Sequence, residues 1–155
     1  MTAPAYRTRE AIAPDLGSLV GLLRLLFQLE SDFETDPDRQ AAGLRLLLEQ
    51  PQRGRIFVAL LDGRPVGMCS VQTTLSTAEG GEAALVEDVV VHPEHRGRGL
   101  GARLLGEVEA WCAGRGIRRL QLLMDRDNGP AEAFYRRTGW QATRLVALRK
   151  RLASQ

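Results

Sequence analysis

Val89-Val90-Val91-His92-Pro93-Glu94-His95-Arg96-Gly97-Arg98-Gly99-Leu100-Gly101-Ala102 reads as a strand, a short polar link and a glycine-punctuated loop that opens a helix. Three β-branched residues favour extended backbone. Glycines at 97, 99 and 101 permit positive φ and close approach to a ligand. A helix that begins here has N–H groups without intrahelical partners and a partial positive charge at its start. A phosphate or pyrophosphate is the natural guest of such a loop. Arg96 and Arg98 add charge, with the backbone amides of residues 97–102 doing most of the holding.

Working outward, the chain alternates strands and helices. Residues 6–13 are expected as a first strand, and 14–29 as a helix with Leu19, Leu22, Leu23 and Leu26 at helical spacing. An acidic connection precedes a second helix over 39–49. Strands at 56–61 and 65–73 are joined by Asp62-Gly63, a hairpin turn pair. Residues 83–91 form the central strand and 100–113 a helix. A strand at 118–124, a helix that starts after the Asp127-Asn128-Gly129-Pro130 turn and runs to Arg137, and two short strands, near Trp140 and over 145–152, complete the order. This is an α/β pattern with a mixed sheet.

With 155 residues, 44% hydrophobic and 26% charged, the chain suits one soluble domain, residues 1–155. A formal charge of +2 argues against nucleic acid as a partner. No apolar run approaches a membrane span, and residues 1–9 carry no signal-peptide segment. Cys69 and Cys112 show no pairing pattern and read as reduced thiols, so the cytoplasm is the expected compartment. His92 and His95 read as link residues, and no metal is expected. A dinucleotide fingerprint, Gly97-x-Gly99-x-x-Ala102 with Asp125 beyond, competes for the loop. Against it, residues 92–96 separate the strand from the first glycine, and too little chain remains for further βαβ units.

A second motif decides the matter. Asn128-Gly129-Pro130-Ala131-Glu132-Ala133-Phe134-Tyr135, followed by Thr138-Gly139-Trp140, lies about thirty residues after Arg96-x-x-Gly99-x-Gly101. With both motifs in this order, residues 6–151 resemble the GNAT superfamily of acyl-CoA-dependent N-acetyltransferases. The resemblance implies a mixed sheet of about six to seven strands, flanked by about four helices and splayed at the central strand. It implies acetyl-CoA as co-substrate, with the pantetheine arm paired to the backbone of Val89, Val90 and Val91. The pyrophosphate is expected on Arg96, Gly97, Arg98, Gly99, Leu100, Gly101 and Ala102. Asn128 resembles the asparagine that contacts pantetheine; capping the last helix is its other reading. Tyr135 matches the family's general acid, a phenol able to donate at neutral pH. Many relatives pair through sheet edges or C-terminal strands, so the resemblance alone implies a homodimer.

The implied reaction is attack of an amine on a thioester. An alkylamine with a pKa of about 10.4 needs about 4–5 kcal/mol to reach its free form at pH 7. A carboxylate or ordered water must take the proton. Glu87 is the first candidate, in phase with Val89 and Val91, and Asp88 points to the other face of a regular strand. A bulge would exchange their roles. Both carboxylates have the plainer reading of holding the substrate cation. No cysteine stands at a nucleophile's position, so direct transfer in a ternary complex is expected. The acceptor is expected to be a small-molecule amine, met by Glu30, Asp32 and Phe33 in the connection between the first two helices, a segment that also reads as a plain solvated loop. A protein amine, or a non-catalytic acyl-CoA-binding module, is the alternative.

Overall fold

The computed structural model describes residues 4–30 and 34–154. It divides into two compact units, Met1–Leu122 and Leu123–Gln155. Asp32 and Phe33 lie outside the described residues.

The first unit carries β1 (Tyr6–Glu10), α1 (Leu16–Leu29), α2 (Pro37–Glu49), β2 (Gly54–Leu61), β3 (Arg64–Ser76), β4 (Gly81–Val91), α3 (Leu100–Gly114) and β5 (Leu120–Leu122). The sheet order is β1-β2-β3-β4-β5. Neighbours are antiparallel through β4, and β5 runs parallel to β4. Asp62 and Gly63 turn the β2–β3 hairpin with φ of 50° and 79°. Positive φ at both central residues matches the right-handed twist of the flanking strands.

One face of the sheet packs Ile56, Val58, Leu60, Met68 and Val90 against Leu19, Leu22 and Leu23 of α1 and Leu44 of α2. The α1 leucines stand at helical spacing, so one stripe is buried. In α3, Leu100, Leu104, Leu105, Val108 and Cys112 are buried at the same kind of interval. Asp15, just before α1, is buried and answered. Arg9 reaches both its oxygens at 2.7 and 3.1 Å, and the Ile12 N–H donates to it at 2.8 Å. The first strand is shorter than expected because Ala13–Asp15 wind into a 3-10 turn that delivers this carboxylate.

In the second unit, α4 spans Gly129–Arg137. Neither expected C-terminal strand forms among the described residues, so the sheet has five strands rather than six or seven. Leu145, Val146, Leu148 and Leu152 are exposed, and Arg149-Lys150-Arg151 interrupts any alternation. β-propensity without burial or a partner face does not hold a strand.

Candidate active site

The β3–β4 ladder contains the defect on which the first part of the site depends. Cys69 pairs with Val89, but Val71 pairs with Val86. Ser70 therefore faces two residues, Glu87 and Asp88, in a β-bulge. The strand is not regular, and Glu87 is out of phase with Val89. Ser70 and Gln72 share the Met68 face of β3 by alternation, and each holds one of the carboxylates. Ser70 Oγ donates to Asp88 Oδ2 at 2.6 Å and accepts the Asp88 N–H at 3.1 Å. Gln72 Nε2 donates to Glu87 Oε2 at 2.6 Å. The expected opposition of the two carboxylates is thus corrected: the extra residue brings both to the α1/α2 side of the sheet.

Their environments differ. Glu87 is exposed. Asp88 is withdrawn from water, and burial pushes its carboxyl up to about 6, against the opposing Ser70 hydrogen bond and with help from the Glu87 charge. A carboxyl titrating near neutrality can both accept and release a proton at working pH. The sequence reading did not find Ser70 or Gln72. A serine inside the run Met68-Cys69-Ser70-Val71 was the available signal, since a buried hydroxyl needs a partner.

Beyond the bulge, β4 outruns its parallel neighbour. The β4–β5 ladder ends at Val86 with Leu122, whereas β4 continues to Val91. Among the described residues no strand pairs with that edge of Glu87, Asp88, Val89, Val90 and Val91. Peptide-like amides of an extended ligand can add to such an edge.

The glycine loop follows. Gly97 and Gly99 adopt φ of 72° and 73°, and Gly99 is the N-cap of α3 without a side-chain cap bond. An added Cβ at either would meet nothing within 4 Å, so the space beside the loop is clear. Leu100, Gly101 and Ala102 form the first turn of α3, where N–H groups lack intrahelical acceptors. Gly101 is helical here, so its freedom of φ is not used. Arg96 turns its Nε to the Val91 carbonyl at 3.0 Å, and Arg98 lies 5.8 Å from the centre of the Tyr6 ring. Clear space, free donors and an unpaired strand edge in succession fit a ligand built of amides and a pyrophosphate.

In the second unit, Asn128 caps α4 by accepting the Ala131 N–H at 3.1 Å. Tyr135 is half-buried, edge-on to Phe134 at 5.2 Å and to Trp140 at 5.9 Å. Glu30 ends α1 in extended backbone.

Neither thiol is poised for attack. Burial, with the Asp88 and Cys112 charges, raises Cys69 far above its ordinary value. Cys112 is pushed up to about 11, again chiefly by burial. A thiol held protonated is not a nucleophile. Among the described residues, no helix is long and apolar enough to cross a membrane.

Comparison with known proteins gives the family. The profile of the Acetyltransferase (GNAT) family matches residues 17–140. An uncharacterised N-acetyltransferase of Methanocaldococcus jannaschii is 31% identical over 101 residues, 64% of this chain and 44% of that protein. The chain thus spans less than half the length of that relative. A Bacillus subtilis protein named for acetylation of an alanine of ribosomal protein bS18 is 27% identical over 116 residues, 75% of this chain and 72% of that one. Among solved structures, an aminoglycoside N-acetyltransferase, AAC(6')-Iy, in complex with CoA superposes with a TM-score of 0.83 at 21% identity, covering 97% of this chain and 98% of that one.

Proposed function

Because the chain belongs to the GNAT acetyltransferase family, we propose that residues 1–155 act as a single domain that moves the acetyl group of acetyl-CoA directly to a small-molecule primary amine. The observation that carries this reading is the bulged end of β4. It offers an unpaired edge and a half-buried carboxyl of pKa about 6, and runs straight into the positive-φ glycine loop.

In this reading acetyl-CoA supplies the thioester. Val89–Val91 hold its pantetheine amides, and the N–H groups of residues 97–102 hold its pyrophosphate. Asp88 takes the proton of the incoming ammonium, so the amine attacks in its neutral form. Glu87, exposed beside it, attracts the cation, with Glu30 as a further carboxylate for the acceptor. The elevated thiol pKa values of Cys69 and Cys112 support direct transfer over an acyl-enzyme route. Tyr135 is assigned by resemblance the protonation of the departing thiolate, and Asn128 a contact to pantetheine.

The Bacillus relative favours a second acceptor, an alanine amine of a protein. One experiment separates the readings. Release of CoA thiol is followed with acetyl-CoA against polyamines, amino sugars, aminoglycosides, amino acids and an alanine-initiated peptide, beside thermal shifts with acetyl-CoA and NAD. Turnover with a small amine supports the proposal, and turnover with the peptide alone replaces it. A thermal shift by acetyl-CoA with no turnover on any acceptor makes the domain a binding module.

A further inference from the structure

The chain has two histidines, and the fold brings both to one place. His92 caps and His95 ends the 3-10 turn Pro93–His95, with ring centroids 5.7 Å apart. Residues three apart in such a turn stack on one side, and Pro93 restricts the backbone that sets this spacing. Glu94 completes the group. One ligating atom each from His92, Glu94 and His95 lies within 4.8 Å of the others. Neighbouring side chains in extended backbone diverge; the tight turn brings Glu94 and the two histidines together.

We propose that His92, Glu94 and His95 form a binding site for a single borderline transition-metal dication of the zinc class. Two imidazoles and one carboxylate are a three-ligand donor set that leaves a fourth position for water. Nitrogen donors in the majority select against magnesium and calcium, which take oxygen. The outer groups suit the assignment. The Tyr6 hydroxyl lies 3.0 Å from His95 Nδ1. When that oxygen accepts, Nδ1 carries the proton and the Nε2 lone pair is left for the ion, the usual division of labour in a metal-bound imidazole. At His92 the competitor is weak, a Glu94 N–H at 3.3 Å from Nδ1, long for a hydrogen bond. Arg96 is turned away, with its Nε on the Val91 carbonyl. A bound ion would tie the end of β4 to the turn that enters the glycine loop. The proposal stands apart from the acetyl-transfer reading.

The test exploits the histidine count. The full chain, free of any affinity tag and stripped with EDTA, is labelled with 15N and titrated with zinc chloride. Its imidazole spectrum contains two rings only. Both are expected to shift together and saturate at one equivalent, with no response to magnesium. Glu94→Gln is expected to weaken zinc at least about tenfold, the scale of loss typical even of outer-shell changes, and His92→Asn/His95→Asn to abolish binding while retaining the native circular dichroism spectrum. A shift confined to one ring, an unchanged affinity in Glu94→Gln, or full binding by the double variant would each overturn the site.

Discussion

Ser70 and Asp88 are joined twice: the serine hydroxyl donates to the carboxylate at 2.6 Å and accepts the same residue's backbone N–H at 3.1 Å. The pair spans the bulge and places a half-buried carboxyl where β4 loses its parallel neighbour. If Asp88 takes the amine's proton, Asp88→Asn lowers kcat by at least about a hundredfold, the low end of a general base's contribution. In the native enzyme the rate falls as pH drops below about 6, as the carboxyl becomes protonated. An Asp88→Asn enzyme with native turnover, alongside a silent Glu87→Gln, would remove both carboxylates from proton transfer.

If Asp88 is the base, Ser70 is expected to tune that acid limb. Its hydrogen bond opposes the burial that raises Asp88. Ser70→Ala removes the stabilisation of the charged form, so the acid limb moves above 6 while the high-pH plateau changes less. A serine that only filled space would leave the limb in place when replaced. Ser70→Thr, which keeps the hydroxyl, is expected to restore it.

Some of this was legible from the letters alone and some was not, for a physical reason. The Asp62-Gly63 turn, the Gly97 and Gly99 conformations and the start of α3 are set by neighbours a few residues away, and all stand where the spacing placed them. The bulge is set by register between β3 and β4, and its serine lies 18 residues from its aspartate. No window along one strand contains that information. A bulge therefore stood only as the alternative to a regular strand, because nothing along β4 alone decides between them. The convergence of His92, Glu94 and His95 needed the tight turn to be known, and the apolar residues over 145–152 are exposed, without the burial that holds a strand.

Gly99 tests the phosphate loop. Its φ of 73° costs a side-chain-bearing residue about 1–2 kcal/mol, and an added Cβ has clear space. Gly99→Ala is therefore a conformational change without a clash. The expected result is a rise of roughly tenfold in KM for acetyl-CoA, since 1.4 kcal/mol is a factor of ten, with kcat nearly kept. Equal binding of acetyl-CoA by the variant in calorimetry would move the pyrophosphate elsewhere.

Tyr135 is assigned to the leaving thiolate, so Tyr135→Phe should lower kcat with little change in acetyl-CoA affinity. The ring keeps its edge contacts with Phe134 and Trp140, which makes the loss one of the hydroxyl alone. A fall in thermal stability with unchanged kcat would return Tyr135 to a packing role.

Two carboxylates, Asp15 buried and Asp88 half-buried, give stability opposite slopes with pH. Asp88 has its pKa raised by the fold, from 3.8 to about 6. Its contribution is greatest below 3.8 and is lost as pH rises through 6, leaving a cost of about 2–3 kcal/mol at neutrality. Asp88→Asn should thus raise Tm at pH 7 and do little at pH 4. For Asp15, burial works to raise the pKa, but the Arg9 hydrogen bonds, the Ile12 N–H and the Arg9 charge outweigh it and hold the carboxyl below its ordinary value. That contribution is present above 3.8 and is lost as pH falls through the lowered value. Asp15→Asn should cost about 2–3 kcal/mol at pH 7, somewhat less than breaking a fully buried pair, because the Arg9 side chain is 35% exposed. Denaturant midpoints measured from pH 3 to 8 on the two variants check both signs at once: the Asp88→Asn difference grows with pH, and the Asp15→Asn difference shrinks toward acid. Parallel curves for either variant and the native protein would show that its carboxylate does not change its proton affinity on folding.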